Sequence, residues 1–344
     1  MEKNLAEVFE RFATDEIRNS SPLYQQLSLA IAKDPEMLAL VAHCREGERV
    51  PNLFFAAVHY LLLNGAKHPL YLCYKSIAGS RVKAEDPYPI FRSFCLDYGD
   101  EIRKLIATRT VQTNEVTRCA TLMPAFVLVS HKSQGRPLYL VDIGASAGLN
   151  LLWDRYGYEY GAGLRCGDIN SPVQIKCAVT RTGVPPLSNT FPKISARVGI
   201  DINPIDVRDP EAVLWLRALI WPEHEKRAEL LERAVQIVRR DPPTVIRGDG
   251  VEVFSDIIGA VPDDSVLCMM RIFTPLPAVS RNRLSSLISE YGTKRDIFLI
   301  SARPHGRDDS ELHLVSIVNG IRTEECVAYF QNHGAWMEWL HTEQ

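Results

Sequence analysis

Asp142, Gly144, Ser146 and Gly148 alternate through LYLVDIGASAGLNLL, residues 138–152. An acid followed by small residues leaves the backbone bare enough for a ligand to approach closely. The apolar run before the turn reads as a buried strand, and the residues from Gly148 onward as a helix whose first free N–H groups face the turn. Spacing separates the chemistries that use such a turn. A dinucleotide fingerprint needs glycine at 144, 146 and 149, where the chain has Gly144, Ser146 and Leu149, so NAD or FAD is not indicated. Gly144-Ala145-Ser146-Ala147-Gly148 does satisfy the Gly-x-Ser-x-Gly nucleophile elbow. Asp249 with His305 or His313 would complete a triad in the order acid then histidine.

Read as acid-x-Gly-x-Gly-x-Gly, the same residues resemble the first motif of Rossmann-like S-adenosylmethionine-dependent methyltransferases, with Ser146 for the middle glycine. The resemblance implies S-adenosylmethionine lying across Gly144 to Gly148, with Asp142 at the strand end. It further implies ribose hydroxyls on Asp201, which ends the strand in ARVGIDINPID (196–206), since a carboxylate can accept from both. Asp249, in TVIRGDGVEVF (244–254), would stand beside the adenine amino group. From Gly148 to Asp201 the interval exceeds the usual twenty or so residues, and an insertion at about 153–195 accounts for the excess.

Outside these motifs Gln112, Asn114, Glu115 and Arg118 bring polar groups to adjacent and one-turn spacings just before an apolar helix. As a substrate site, Gln112 and Asn114 bind, Arg118 pairs a carboxylate and Glu115 orients or deprotonates the attacking group. As a helix start, Asn114 caps and Glu115 meets the positive end of the dipole. The catalytic reading expects Glu115→Gln and Arg118→Ala to spare stability and alter retention of a small acidic ligand. The end of the fourth strand, Met269-Met270-Arg271, supplies no acid or histidine. Methyl transfer tolerates that, because in-line placement of a deprotonated nucleophile suffices. Glu223-His224-Glu225 reads as a solvated helix start, since adjacent helical residues point in different directions.

These residues need a scaffold. From Leu5 to about Val129 the apolar residues recur at helical spacing, including a helix opened by Pro51 and stopped at Gly65, with no strand pattern. Strands and helices alternate from about Pro137. Val173, Ile175, Cys177 and Val179 alternate as a strand inside the insertion, and Asn319-Gly320 turns a closing hairpin.

The segments SPLYQQLSLAIAKDPEMLALV, VPNLFFAAVHYLLL, VQTNEVTRC, VDIGASAGLNLLWDRYGYEYG, VGIDINPIDV, LRALIWPEHEKR and HGAWMEWL, in this order, resemble the bacterial family called domain of unknown function 2332. The resemblance runs nearly end to end and carries no activity. The expected fold is α/β: an all-α region over 1–130, then a Rossmann-like, methyltransferase-type domain over 131–344 with a mostly parallel sheet and a C-terminal antiparallel hairpin. The expected function is S-adenosylmethionine-dependent methyl transfer to a small molecule. The alternatives are a non-catalytic Rossmann-like ligand-binding protein and a serine hydrolase using Ser146; the hydrolase lacks the strands and oxyanion loop that should precede its elbow.

Composition sets the remaining expectations. Over 344 residues, 46% hydrophobic and 24% charged with a net charge of −3, there is core material in plenty and no basic field for nucleic acid or anionic lipid. Eight cysteines without a C-x-x-C pair read as free thiols of a reducing cytosol, with no metal site indicated. The N-terminus is too charged for a signal peptide, and the apolar run 53–63 is too short to span a bilayer, so a cytoplasmic protein is expected.

Overall fold

Helical periodicity in the first third of the chain becomes a set of short helices with their own caps. The computed structural model describes residues 4–18, 20–82, 86–180, 183–188 and 190–340. It divides into two units, Met1–Thr113 with Arg208–Glu229, and Asn114–Val207 with Leu230–Gln344.

In the first unit, Asn4, Ser21 and Asp34 accept from amides at the starts of helices Leu5–Arg11, Pro22–Ile31 and Pro35–Val41, the last two opened by proline. Helix Val50–Leu63 is buried almost throughout. It ends where Gly65, at φ +92°, lets the amides of Gly65 and Ala66 return to Leu62 and Leu61. The Tyr24 and Phe55 rings stack at 4.2 Å in its core, and among the described residues the unit holds no strand. The later segment 208–229 belongs here through specific bonds: Trp215 Nε1 donates to Thr110 O at 3.0 Å, and Glu223 accepts from Ser21 Oγ (2.8 Å) and Leu23 N (3.1 Å). Glu223 is thus a clamp on a neighbouring helix start rather than a solvated residue. His59 sits between Ala218 O and Ser76 Oγ, and burial pulls its pKa down to about 4, leaving a neutral ring that serves packing.

Among the described residues the second unit carries twelve strands. They are β1 (Leu138–Ile143), β2 (Gly157–Glu159), β3 (Arg165–Gly167), β4 (Gln174–Lys176), β5 (Ala178–Val179), β6 (Ile194–Asp201), β7 (Thr244–Arg247), β8 (Val266–Arg271), β9 (Ile297–Pro304), β10 (Asp309–Val318), β11 (Ile321–Gln331) and β12 (Trp336–Trp339). Nine form one sheet in the order β5-β12-β11-β10-β9-β8-β1-β6-β7. β7, β6, β1, β8 and β9 run parallel, and β10, β11 and β12 add antiparallel. The fold is α/β, with a mostly parallel centre, an antiparallel C-terminal hairpin and N-terminal helices. Asn319 and Gly320 both take positive φ, 51° and 77°, which matches the twist a two-residue hairpin needs. Tyr139, Val141 and Ile143 pack on one face of the sheet with Phe254, Ile257 and Ile288, leaving Leu140 and Asp142 to the other. Among the described residues no helix is long and apolar enough to cross a membrane.

Two local readings change. The alternating run 173–179 is not one strand: the amide of Cys177 bonds Glu159 O, whereas that of Ala178 bonds Ala335 O. The chain bends at Cys177, with β4 completing the small sheet β3-β2-β4 and β5 joining the edge of the large one. The residues after Gly148 form a 3₁₀ helix, Leu149–Arg155, interrupted at Leu152, instead of an α-helix. Tyr156 Oη donates to Leu149 O (2.7 Å) and Arg197 Nε to Leu151 O (3.1 Å), taking carbonyls that a continuing α-helix would use.

Candidate functional site

β1 lies between β6 and β8: the connection leaving β1 runs to β6 on one side, and the one leaving β7 returns to β8 on the other, which opens a crevice at the carboxyl end of β1. In open parallel sheets ligands bind at that crevice. Here it holds Asp142, Ser146 and Asp201.

The turn is shaped by its own hydrogen bonds. Gly144, at φ +88°, donates its N–H to Ile200 O at 2.8 Å. Ser146, itself at φ +54°, donates its N–H to Asp201 Oδ2 at 2.7 Å, while Asn203 N donates to Oδ1 at 2.8 Å. The main chain of Asp201 also accepts from Gly248 N (3.0 Å), so the ends of β1, β6 and β7 meet at this residue. Gly148 is left-handed at the start of the 3₁₀ helix, and Leu149 N donates to Asn114 Oδ1 at 3.2 Å. The turn's amides therefore serve the chain, and the row of free helix N–H groups expected beyond Gly148 does not form. Ser146 Oγ is buried and makes no hydrogen bond; a residue forced to positive φ with an orphaned hydroxyl marks stored strain.

Asp142 is 5% exposed, and its pKa is pushed up to about 7 by burial first, then by the charge of Asp201, with Arg118 opposing. Such a shift in a cleft is a mark of functional carboxylates. Beside it, the Cys119 thiol donates to Asn150 Oδ1 at 3.4 Å. Burial, reinforced by Asp142 and Glu115, pushes that thiol well above its ordinary range, so it is no nucleophile.

Glu115 and Arg118 have structural partners. Glu115 Oε1 accepts from Thr117 N (3.3 Å) and Thr117 Oγ1 (2.7 Å), capping the turn Val116–Arg118. Its other oxygen lies 3.6 Å from His333 Nδ1. Arg118 Nε donates to Asn332 O at 2.9 Å, and its guanidinium lies 4.5 Å from the Phe273 ring centroid. Gln112 belongs to the first unit, and Asn114, Glu115 and Arg118 to the second. Asp249 follows β7, and its Oδ1 accepts from Val251 N at 2.7 Å, shaping the loop beside Asp201. Because an amide oxygen can accept both Thr117 bonds, Glu115→Gln is expected to melt close to the parent, while Glu115→Ala should lose about 1–2 kcal/mol as a deleted cap does. Paired thermal melts of the two variants read the difference.

The sequence reading carried the fourth strand on to Pro277, but β8 ends at Arg271 and the residues after it are irregular. Phe273 is at φ +57°, an outlier for a bulky residue, and Thr274 Oγ1 donates to Ile143 O at 2.8 Å, closing over the start of the turn. The flanking Pro275 and Pro277 were the available signal of an irregular segment there. The reading named His313 only as a triad candidate and did not join it to Glu311 and Cys326, which β10 and β11 bring together with it. A cleft of about 540 Å³ opens elsewhere in this unit, along Tyr139, Val198, Ile246 and Ile257. It lies along the sheet face rather than at the strand ends. Of its charged lining residues Arg197, Asp241 and Asp256, the first two are engaged by Asp154 and Arg155, and the buried carboxylate at the strand ends is the stronger pointer to chemistry.

The model of a protein family described as "Uncharacterized protein conserved in bacteria (DUF2332)" matches residues 6–339. The chain belongs to this family. No curated protein and no solved structure matches it. For this member of DUF2332, the geometry of the strand ends carries the functional argument.

Proposed function

We propose that the strand ends of β1, β6 and β7 bind S-adenosylmethionine and that the protein transfers its methyl group to a small molecule, on a sheet of Rossmann-like, methyltransferase type. The carrying observation is Asp201: it ends the strand beside β1 and hydrogen-bonds the glycine-bounded turn at Ser146 N. A nucleoside-binding carboxylate is expected at this position. Its two oxygens accept from Ser146 N and Asn203 N, which fixes the carboxylate beside the turn, where ribose hydroxyls would meet it. Asp142, buried below the turn, offers a negative partner to the cationic end of the ligand, and Asp249 lies on the adenine side. The bound cofactor would supply an electrophilic methyl group; the protein's part is to hold the acceptor in line and exclude water.

A second reading, ligand binding without transfer, draws on one feature: β8 ends in Met269, Met270 and Arg271, with no acid to orient an acceptor. Ser146 gives the hydrolase little support, because its hydroxyl makes no hydrogen bond and His305 and His313 are both engaged by Glu311.

Calorimetric titration of the full chain with S-adenosylmethionine tests the proposal. Binding is expected, and Asp201→Ala should weaken it by about 1.5–3 kcal/mol, tenfold or more. Asp201→Asn keeps an acceptor for Ser146 N and separates support of the turn from contact with the ligand. A folded parent protein that binds no S-adenosylmethionine ends the cofactor reading; binding without methylated product from any acceptor tried favours the second.

A further inference from the structure

Apart from the strand ends of β1, the hairpin carries a cluster of different chemistry. His313 on β10 stands directly opposite Cys326 on β11, where the register skips Val327 between Leu312 and His313. Such a bulge re-aims side chains locally. Glu311, two residues before His313, shares its face. Its Oε2 is 2.7 Å from His313 Nε2, and ligand atoms of Glu311, His313 and Cys326 all lie within 4.8 Å of one another. His305 Nδ1 approaches the other Glu311 oxygen at 3.1 Å.

We propose that Glu311, His313 and Cys326 form a binding site for a borderline divalent transition-metal ion of the zinc class. Oxygen, imidazole nitrogen and sulfur together match the ligand preference of zinc, and three protein ligands leave a fourth position open. Zinc bonds of about 2.0–2.3 Å put tetrahedral ligand atoms roughly 3.3–3.8 Å apart. The separations here, from 2.7 Å to within 4.8 Å, bracket that span.

The second nitrogen of His313 supports the assignment independently. His313 is 9% exposed, and its Nδ1 is buried without a hydrogen bond, 3.7 Å from Glu324 Oε1. A carboxylate behind a histidine is the usual outer partner of a metal-bound imidazole, fixing its tautomer and raising its basicity. Glu324 is itself held by Arg303 and Arg322. When the metal–sulfur bond forms, the Cys326 thiol releases its proton to solvent.

The full chain, stripped with a chelator and dialysed, is titrated with zinc chloride against a chromophoric chelator, then with cobalt(II) to read thiolate-to-metal absorption. One zinc per chain is expected, with the thiolate band present. Cys326→Ser should remove that band and weaken zinc about 100-fold or more, Glu324→Gln should weaken it about tenfold, and Cys44→Ser should change neither. Absence of tight zinc binding, or binding and absorption that survive Cys326→Ser, overturns the site and leaves the cluster as ion pairs. Should Cys326→Ser fail to fold, alkylation of the parent decides. Protection of Cys326 by zinc relative to Cys44 and Cys73 supports the site, and equal labelling overturns it.

Discussion

Asp142→Asn is expected to make the protein more stable at pH 8 and to flatten part of its pH dependence. The cause is the carboxyl group's place under the turn, where burial and the nearby Asp201 charge raise its pKa from 3.8 to about 7. The folded state therefore binds a proton that the unfolded chain has released over this range. Asp142's contribution is fully present below about pH 4 and is lost as pH rises through about 7, by roughly 1.4 kcal/mol per pH unit between the two. The total is on the order of 4 kcal/mol. Asparagine keeps the shape without the ionisation, so the parent-minus-variant stability, from urea melts at pH 4 to 8.5, isolates this residue from oppositely shifted groups such as Asp34, lowered to about 2. A difference that stays constant with pH would show that Asp142 ionises freely. A carboxylate kept where it costs stability is the pattern of a site selected for function over stability. If a cationic ligand binds above it, the ligand should restore stability at high pH more in the parent than in Asp142→Asn.

Gly144→Ala should cost about 3 kcal/mol or more. Two separable effects add. At φ +88° a side chain is strained by about 1–3 kcal/mol whatever the space around it. The new Cβ would also stand 2.0 Å from Thr274 Oγ1, forcing that side chain away and breaking its bond to Ile143 O, worth about 1 kcal/mol. Adding Thr274→Ala to Gly144→Ala removes the contacts with Oγ1 and Cγ2 but leaves the Cβ of residue 274 at 2.9 Å together with the backbone strain, so the double variant should recover only part of the loss. Urea melts of the two single variants and the double variant give the coupling. A Gly144→Ala protein within about 0.5 kcal/mol of the parent, inside the ordinary scatter of surface substitutions, would mean that the turn relaxes easily and is not a fixed cradle. The glycine is thus required by this chain's own packing, as well as by any ligand that approaches the turn.

By itself the sequence determined what is local. Helical periodicity, prolines at helix starts, the Gly65 stop, the strand-and-turn at 138–148 and the Asn319-Gly320 hairpin are written within a few residues each, and all of them stand in the structure. The α/β class followed, because alternating strands and helices pack into a parallel sheet with few other solutions. The site was legible as a set of residue types, Asp142, Ser146 and Asp201, but their bonds were not. Ser146 N and Asp201 are 55 residues apart and Thr274 is 131 from Ile143; such pairs exist only once strand order is set. Tertiary structure also decided that segment 208–229 joins the N-terminal helices, that Cys177 bends between two sheets, and that the turn feeds a 3₁₀ helix. Carbonyls claimed by Tyr156 and Arg197 overrode the local helical pattern there. Glu311, His313 and Cys326 show the limit most plainly. No spacing announces them, because their meeting depends on one skipped residue, Val327, and a one-residue change of register turns a side chain to the opposite face.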